Sequence, residues 1–294
     1  MLRNVNGIWM YSQPAADRWV MTTHRLGNGH AECSISRAIE WKEMDPDAAA
    51  MLGQDWAEEL AKPLSDEEQA EREERNRKRA ARRAKTRIRR LVKVMGLNAL
   101  FTLTYRANQT DLALCKKHFK EFVRRARRVL PGFRYVAAFE RQKRGAWHVH
   151  MVTDRLPKML AASNGVKVKS YNVMRSIWRA ITKDLGGNFD QARKVRSGRQ
   201  SVAKLAGYIS KYLVKAFEDG DAWSNRYSAS MDVEMPLAQR LEFNRADLGD
   251  LISLAYGDIA SGDCEITTWL SPYRDSFYLA VEPVQFDRSA HCRK

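Results

Sequence analysis

Residues 134–154 read RYVAAFERQKRGAWHVHMVTD. Two apolar runs flank a five-residue basic turn, RQKRG at 141–145, and the pattern predicts a β-hairpin with strands over 134–140 and 146–154. Residues i and i+2 of a strand share a face. His148 and His150 therefore project together, while Trp147, Val149 and Met151 point to the other side. The chain has only six histidines. A lone His-x-His reads equally as two satisfied sheet residues or as two metal ligands, so the rest of the site decides. If the turn pairs Glu140 opposite Ala146, Glu140 falls on the histidine face, diagonal to His148, and its carboxylate can complete a three-ligand set. Gln142 takes that role if the turn is tighter or bulged. Two imidazoles and a carboxylate with open positions suit Mn2+ or another divalent transition ion. Mg2+ prefers an oxygen-rich shell, although cellular abundance can still select it.

Outward from the hairpin the pattern is regular. Phe101–Tyr105 (FTLTY) alternates like a half-buried strand. The stretch from Asp111 to Gly132 carries Leu112, Cys115, Phe119, Phe122, Ala126 and Val129 at helical spacing, with a basic outer face. A second helix is expected over 171–185, closed by Gly186-Gly187. A fourth strand follows over 188–195 and a third helix over 201–217. The order β-α-β-β-α-β plus α predicts an α+β fold, a ferredoxin-like, split βαβ antiparallel sheet with the His-x-His strand central and one open face. An N-terminal helical extension and a C-terminal extension flank it. Residues 1–64 form a segment without a usable motif, 65–95 a charged helix, 96–230 the main domain, and 231–294 a C-terminal extension with strands near 266–270 and 277–281. The helix at 65–95 opens with a capping box, Ser65 and Glu68, and orders acidic before basic residues as the helix dipole favours.

Fifty-one Lys and Arg against 35 Asp and Glu give a formal charge of +16, which points to a polyanionic partner, nucleic acid before an anionic membrane. The four cysteines lie far apart with no Cys-x-x-Cys pair, as expected of reduced thiols in a cytoplasmic protein. No secretory h-region and no run of ~20 apolar residues suggests a membrane segment. The expected setting is the cytoplasm of a bacterial host cell.

The third helix supplies a nucleophile. Tyr208 and Tyr212 are four apart and share a helical face, with Lys211 and Lys215 in the same sector. A phenol with an ordinary pKa near 10 needs help to attack, and a lysine or a metal-polarised phosphate provides it. Two core aromatics with snorkelling lysines fit the same spacing.

In order, FTLTY, FERQKRGAWHVHMV and YISKYLVK resemble the three motifs of the HUH endonucleases (His, bulky hydrophobe, His), above all the rolling-circle replication initiators of single-stranded DNA phages and small plasmids. The resemblance covers roughly residues 90–230, with a looser echo at 225–228. It implies His148 and His150 as metal ligands and Glu140 or Gln142 as the third. It implies Tyr208 and Tyr212 as alternating nucleophiles, with Lys211 and Lys215 as basic companions and Mg2+ or Mn2+ as the ion. The implied reaction nicks single-stranded origin DNA, leaving a 5′-phosphotyrosine link and a free 3′-OH for host polymerase. No G-x-x-x-x-G-K-[ST] loop is present, so strand separation falls to supercoiling or a host helicase. A relaxase or single-strand transposase would share this chemistry. A non-catalytic DNA-binding protein would bind without covalent attachment. A histidine-triad hydrolase is disfavoured because position 152 is Val.

Overall fold

The computed structural model describes residues 2–51, 65–161, 165–191, 201–218, 226–231 and 233–284. The chain divides into two compact units, one comprising the residues up to Arg72 with Pro236–Val284, the other Glu73–Met235. Both are mixtures of antiparallel sheet and helix, so the α+β class stands.

The first unit is built on strands β1 (Leu2–Val5), β2 (Ile8–Gly27) and β3 (His30–Glu43). The expectation of an N-terminal helical extension fails over 2–43. Alternating residues such as Trp19 and Met21, and Cys33 and Ile35, face one apolar core and favour extended chain. A register shift between Pro14 and Trp19 breaks that alternation, which is why it is hard to see in the sequence. The far C-terminal residues complete the same sheet, although the sequence suggests a separate extension. β13 (Ser276–Pro283) pairs with β3, β12 (Cys264–Leu270) pairs with β13, and β11 (Gln239–Asn244) pairs with β2. Helix Leu248–Ile259 packs Leu251, Ala255 and Ile259 onto this sheet.

The second unit carries a five-stranded antiparallel sheet. Its strands are β4 (Ala99–Tyr105), β5 (Tyr135–Arg141), β6 (Trp147–Thr153), β9 (Gly187–Gln191) and β10 (Tyr227–Ala229), in the order β10-β5-β6-β4-β9. The His-x-His strand β6 is therefore the central one. A short two-stranded ribbon, β7 (Met159–Ala161) with β8 (Lys167–Lys169), follows it. Helices α2 (Leu112–Val129) and α3 (Ser170–Thr182) cover one face. Cys115, Phe119, Phe122, Met174 and Trp178 pack there on Phe101, Leu103, Phe139, Trp147, Val149 and Met151. Asp111 caps α2, accepting from the N–H groups of Ala113 and Leu114 at 2.7 and 3.2 Å.

The other face is not open. The last turns of α1 (Asp66–Met95), through Ile88, Leu91, Val92 and Met95, and helix α4 (Val202–Glu218), through Leu205, Ala206, Ile209 and Leu213, pack there on Leu100, Val136, Ala138 and Val152. These apolar positions recur at helical spacing, and burying them fixes which side of α4 meets the sheet. The capping box at the start of α1 forms: the Ser65 N–H donates to Glu68 at 2.9 Å and the Glu68 N–H donates to Ser65 Oγ at 3.2 Å. Cys33, Cys115 and Cys264 are free thiols, and Cys292 lies outside the described residues.

Candidate active site

Because β6 alternates, His148 and His150 emerge together beneath α4, each only 7% exposed. The hairpin register differs from the expected one. Arg141 opposes Trp147 and Glu140 opposes His148, rather than Ala146. The turn tightens because Gly145 adopts φ +92°, a left-handed conformation glycine takes without strain. Its N–H donates to the Gln142 carbonyl at 2.8 Å, and the Gln142 N–H donates to the Ala146 carbonyl at 2.9 Å.

This register lets both suggested third ligands reach a histidine. The Glu140 carboxylate accepts from His150 Nε2 at 2.7 Å, and both side chains are nearly buried. The Gln142 amide lies 2.9 Å from His148 Nδ1. On the far side, Thr102 opposes His150 across the β4–β6 ladder, and its hydroxyl is 3.2 Å from Nδ1. Sequence reasoning missed Thr102. Its signal was the alternation of FTLTY, which puts Thr102 and Thr104 on one face, but the contact also needs the β4–β6 register.

His148 is less satisfied. Its Nε2 is buried and has no hydrogen-bond partner. Burial first, then repulsion from His150 and Arg144, push its pKa down to about 4 against the opposing pull of Glu140. The ring is therefore neutral at physiological pH. With an amide N–H on Nδ1, the ring proton sits on Nε2. A half-turn of the Gln142 amide makes its oxygen the acceptor for Nδ1–H and bares the Nε2 lone pair.

Helix α4 brings both tyrosines to this face. The Tyr212 ring stacks on His150, with centroids 3.7 Å apart and planes at 17°. Tyr208 meets Tyr212 edge-on, and the two hydroxyls are 2.6 Å apart. Burial and the bond from Tyr208 raise the Tyr212 pKa above the ordinary phenol range. Lys211 is exposed on the same helix. Lys215 also belongs to α4, but its side chain lies outside the described residues. Among the described residues, no three His, Cys, Asp or Glu side chains are disposed to hold a metal ion as they stand. Glu140 is engaged by His150 rather than aimed at a point shared with His148.

One comparison bears on what such a site is for. Residues 98–217 match a family model for replication-associated proteins of the ORF2 type. No curated protein and no solved structure matches the chain. The replication-associated segment is less than half of the chain, yet it runs from β4 to the end of α4 and holds every residue of the site. The match is consistent with a Rep-type replication initiator, and DNA is the partner that role requires. No helix among the described residues is long and apolar enough to cross a membrane.

Proposed function

We propose that the chain is a replication initiator of the HUH type, which nicks single-stranded origin DNA by tyrosine transesterification. One observation carries this reading: the tyrosine pair of α4 lies directly on the imidazole of His150, beside the buried, unpartnered Nε2 of His148. A core aromatic pair has no reason to keep two hydroxyls at the rim of a polar histidine cluster.

In the reaction a tyrosine Oη attacks the scissile phosphorus. A P–O(Tyr) bond forms and the P–O3′ bond breaks. The phenol gives up its proton and the departing 3′ oxygen takes one up, so no proton is consumed. The products are a 5′-phosphotyrosine link and a 3′-OH that host polymerase can extend. The second tyrosine can cut the regenerated origin, after which the free 3′-OH attacks the first adduct and closes a circle. Host helicase and polymerase complete the cycle in a bacterial cytoplasm.

The donor set fits a divalent ion, Mg2+ or Mn2+: His148 through Nε2, His150, and Glu140 as the carboxylate. Gln142 is already on His148 Nδ1, where it fixes the tautomer, so Glu140 is the better third ligand. When bound, the ion would polarise the phosphate and offset its charge as the phenolate attacks. Lys211 and Lys215 favour phenolate and neutralise phosphate charge. A relaxase or transposase would use the same residues on other DNA ends.

The test is a denaturing gel of the protein with single-stranded origin oligonucleotides and Mn2+. A covalent protein–DNA band should form, vanish with chelator, and be absent in the Tyr208→Phe/Tyr212→Phe variant. Cleavage without an adduct would overturn the tyrosine mechanism. Undiminished cutting by His148→Ala/His150→Ala would overturn the metal assignment.

A further inference from the structure

On the sheet face away from the histidines, α2 and the edge strand β10 enclose a groove of about 1400 Å3. Its floor is apolar and its rim is cationic. Lys117, Lys120, Arg124 and Arg128 follow one another at helical spacing and form a stripe along the exposed side of α2. Lys117 and Arg128 are separated by eleven residues, about 16 Å of rigid helix. Glu121 is the only acidic residue within α2, and it pairs with Arg124 and Arg125 at 2.6 Å each. Lys117, Lys120 and Arg128 are exposed and make no ion pair among the described residues. Across the groove, Lys116 is crowded by Arg226, and burial with that repulsion lowers its pKa, a situation a bound anion relieves.

We propose that this groove binds the phosphate backbone of duplex DNA, separately from the single strand at the tyrosines. The stripe spans roughly five nucleotide steps at ~3.4 Å each along one strand of a duplex. A single-strand track needs exposed rings on which bases stack. Here Phe119, Tyr135 and Phe139 are buried and Tyr227 is half-buried, so the surface offers charge without stacking. That combination suits a regular backbone. The inference goes beyond the cutting chemistry and does not rest on it.

The test compares the full chain with Lys117→Gln/Lys120→Gln/Arg128→Gln and with a charge-matched control, Arg155→Gln/Lys167→Gln/Lys169→Gln. Fluorescence anisotropy of a labelled 20-base-pair duplex is read across a salt series. The groove variant should lose tenfold or more in affinity near 0.1 M salt, with a log–log salt slope shallower by about 2 to 3. The control should stay close to wild type, as should binding of a single-stranded oligonucleotide. Unchanged duplex affinity and slope in the groove variant would overturn the proposal. So would an equal loss in the control, or an equal loss of single-strand binding.

Discussion

The ring of Tyr212 lies flat on His150 and its hydroxyl is bonded to that of Tyr208. Burial and that bond hold the Tyr212 phenol in its protonated form, whereas Tyr208 is 41% exposed and reaches incoming DNA first. Tyr208→Phe should therefore lower single-turnover adduct formation by on the order of a hundredfold, while Tyr212→Phe leaves the first cut within about tenfold. Quenched-flow gels read both. His148 gives a pH signature. Its folded pKa of about 4 lies below its unfolded value near 6.5, so the unfolded chain binds the proton more readily. Stability from this group is whole above pH 6.5 and falls as pH drops toward 4, by as much as about 3 kcal/mol. Urea denaturation of the metal-free protein at pH 7 and 4.5 should show that loss, and His148→Gln should lessen it. At this scale the residue types were legible but their pairing was not. Glu140 and Gln142 read as alternatives because the turn's register was open. Only the tight turn at Gly145 shows that each bonds a different histidine.

Elements were more legible than their contacts. The helix opened by Asp111 begins at Leu112 with that aspartate as its cap, and β4 through β6 form within two residues of the expected limits. Alternation and helical spacing are local signals that packing reinforces. Close approaches between elements are not local. Gly187 sits where β9 passes Trp178, and a Cβ there would lie 2.6 Å from the indole Nε1 and 2.9 Å from the Thr104 carbonyl. The same indole N–H donates to that carbonyl at 2.9 Å. Gly187→Ala should therefore cost about 1 to 3 kcal/mol in chemical denaturation, although as the second of two glycines after a helix it reads simply as part of a stop signal. The sequence also suggested a free sheet face, because nothing in a helix pattern says which sheet it will cover.

At the scale of the whole molecule, the sheet shared by residues 2–43 and the strands from Gln239 onward was not legible. Strand partners as far apart in sequence as Ala31 and Val281, or Thr23 and Gln239, leave no periodic trace, and the hydrophobic alternation of β2 is interrupted mid-strand. The second unit was legible because its motifs lie in order within residues 98–217, the span that also matches replication-associated proteins. The +16 charge of the chain was a sound guide to the class of partner, since phosphate neutralisation is a property of the whole surface. What charge does not say is whether the protein cuts what it binds. The most direct measurement is mass spectrometry of the protease-digested product formed with a single-stranded origin oligonucleotide and Mn2+. A peptide spanning 205–215 should carry a nucleotide through its 5′ phosphate on Tyr208 or Tyr212. A cleaved oligonucleotide with no modified peptide, or with the phosphate on any other residue, would contradict tyrosine transesterification at this site.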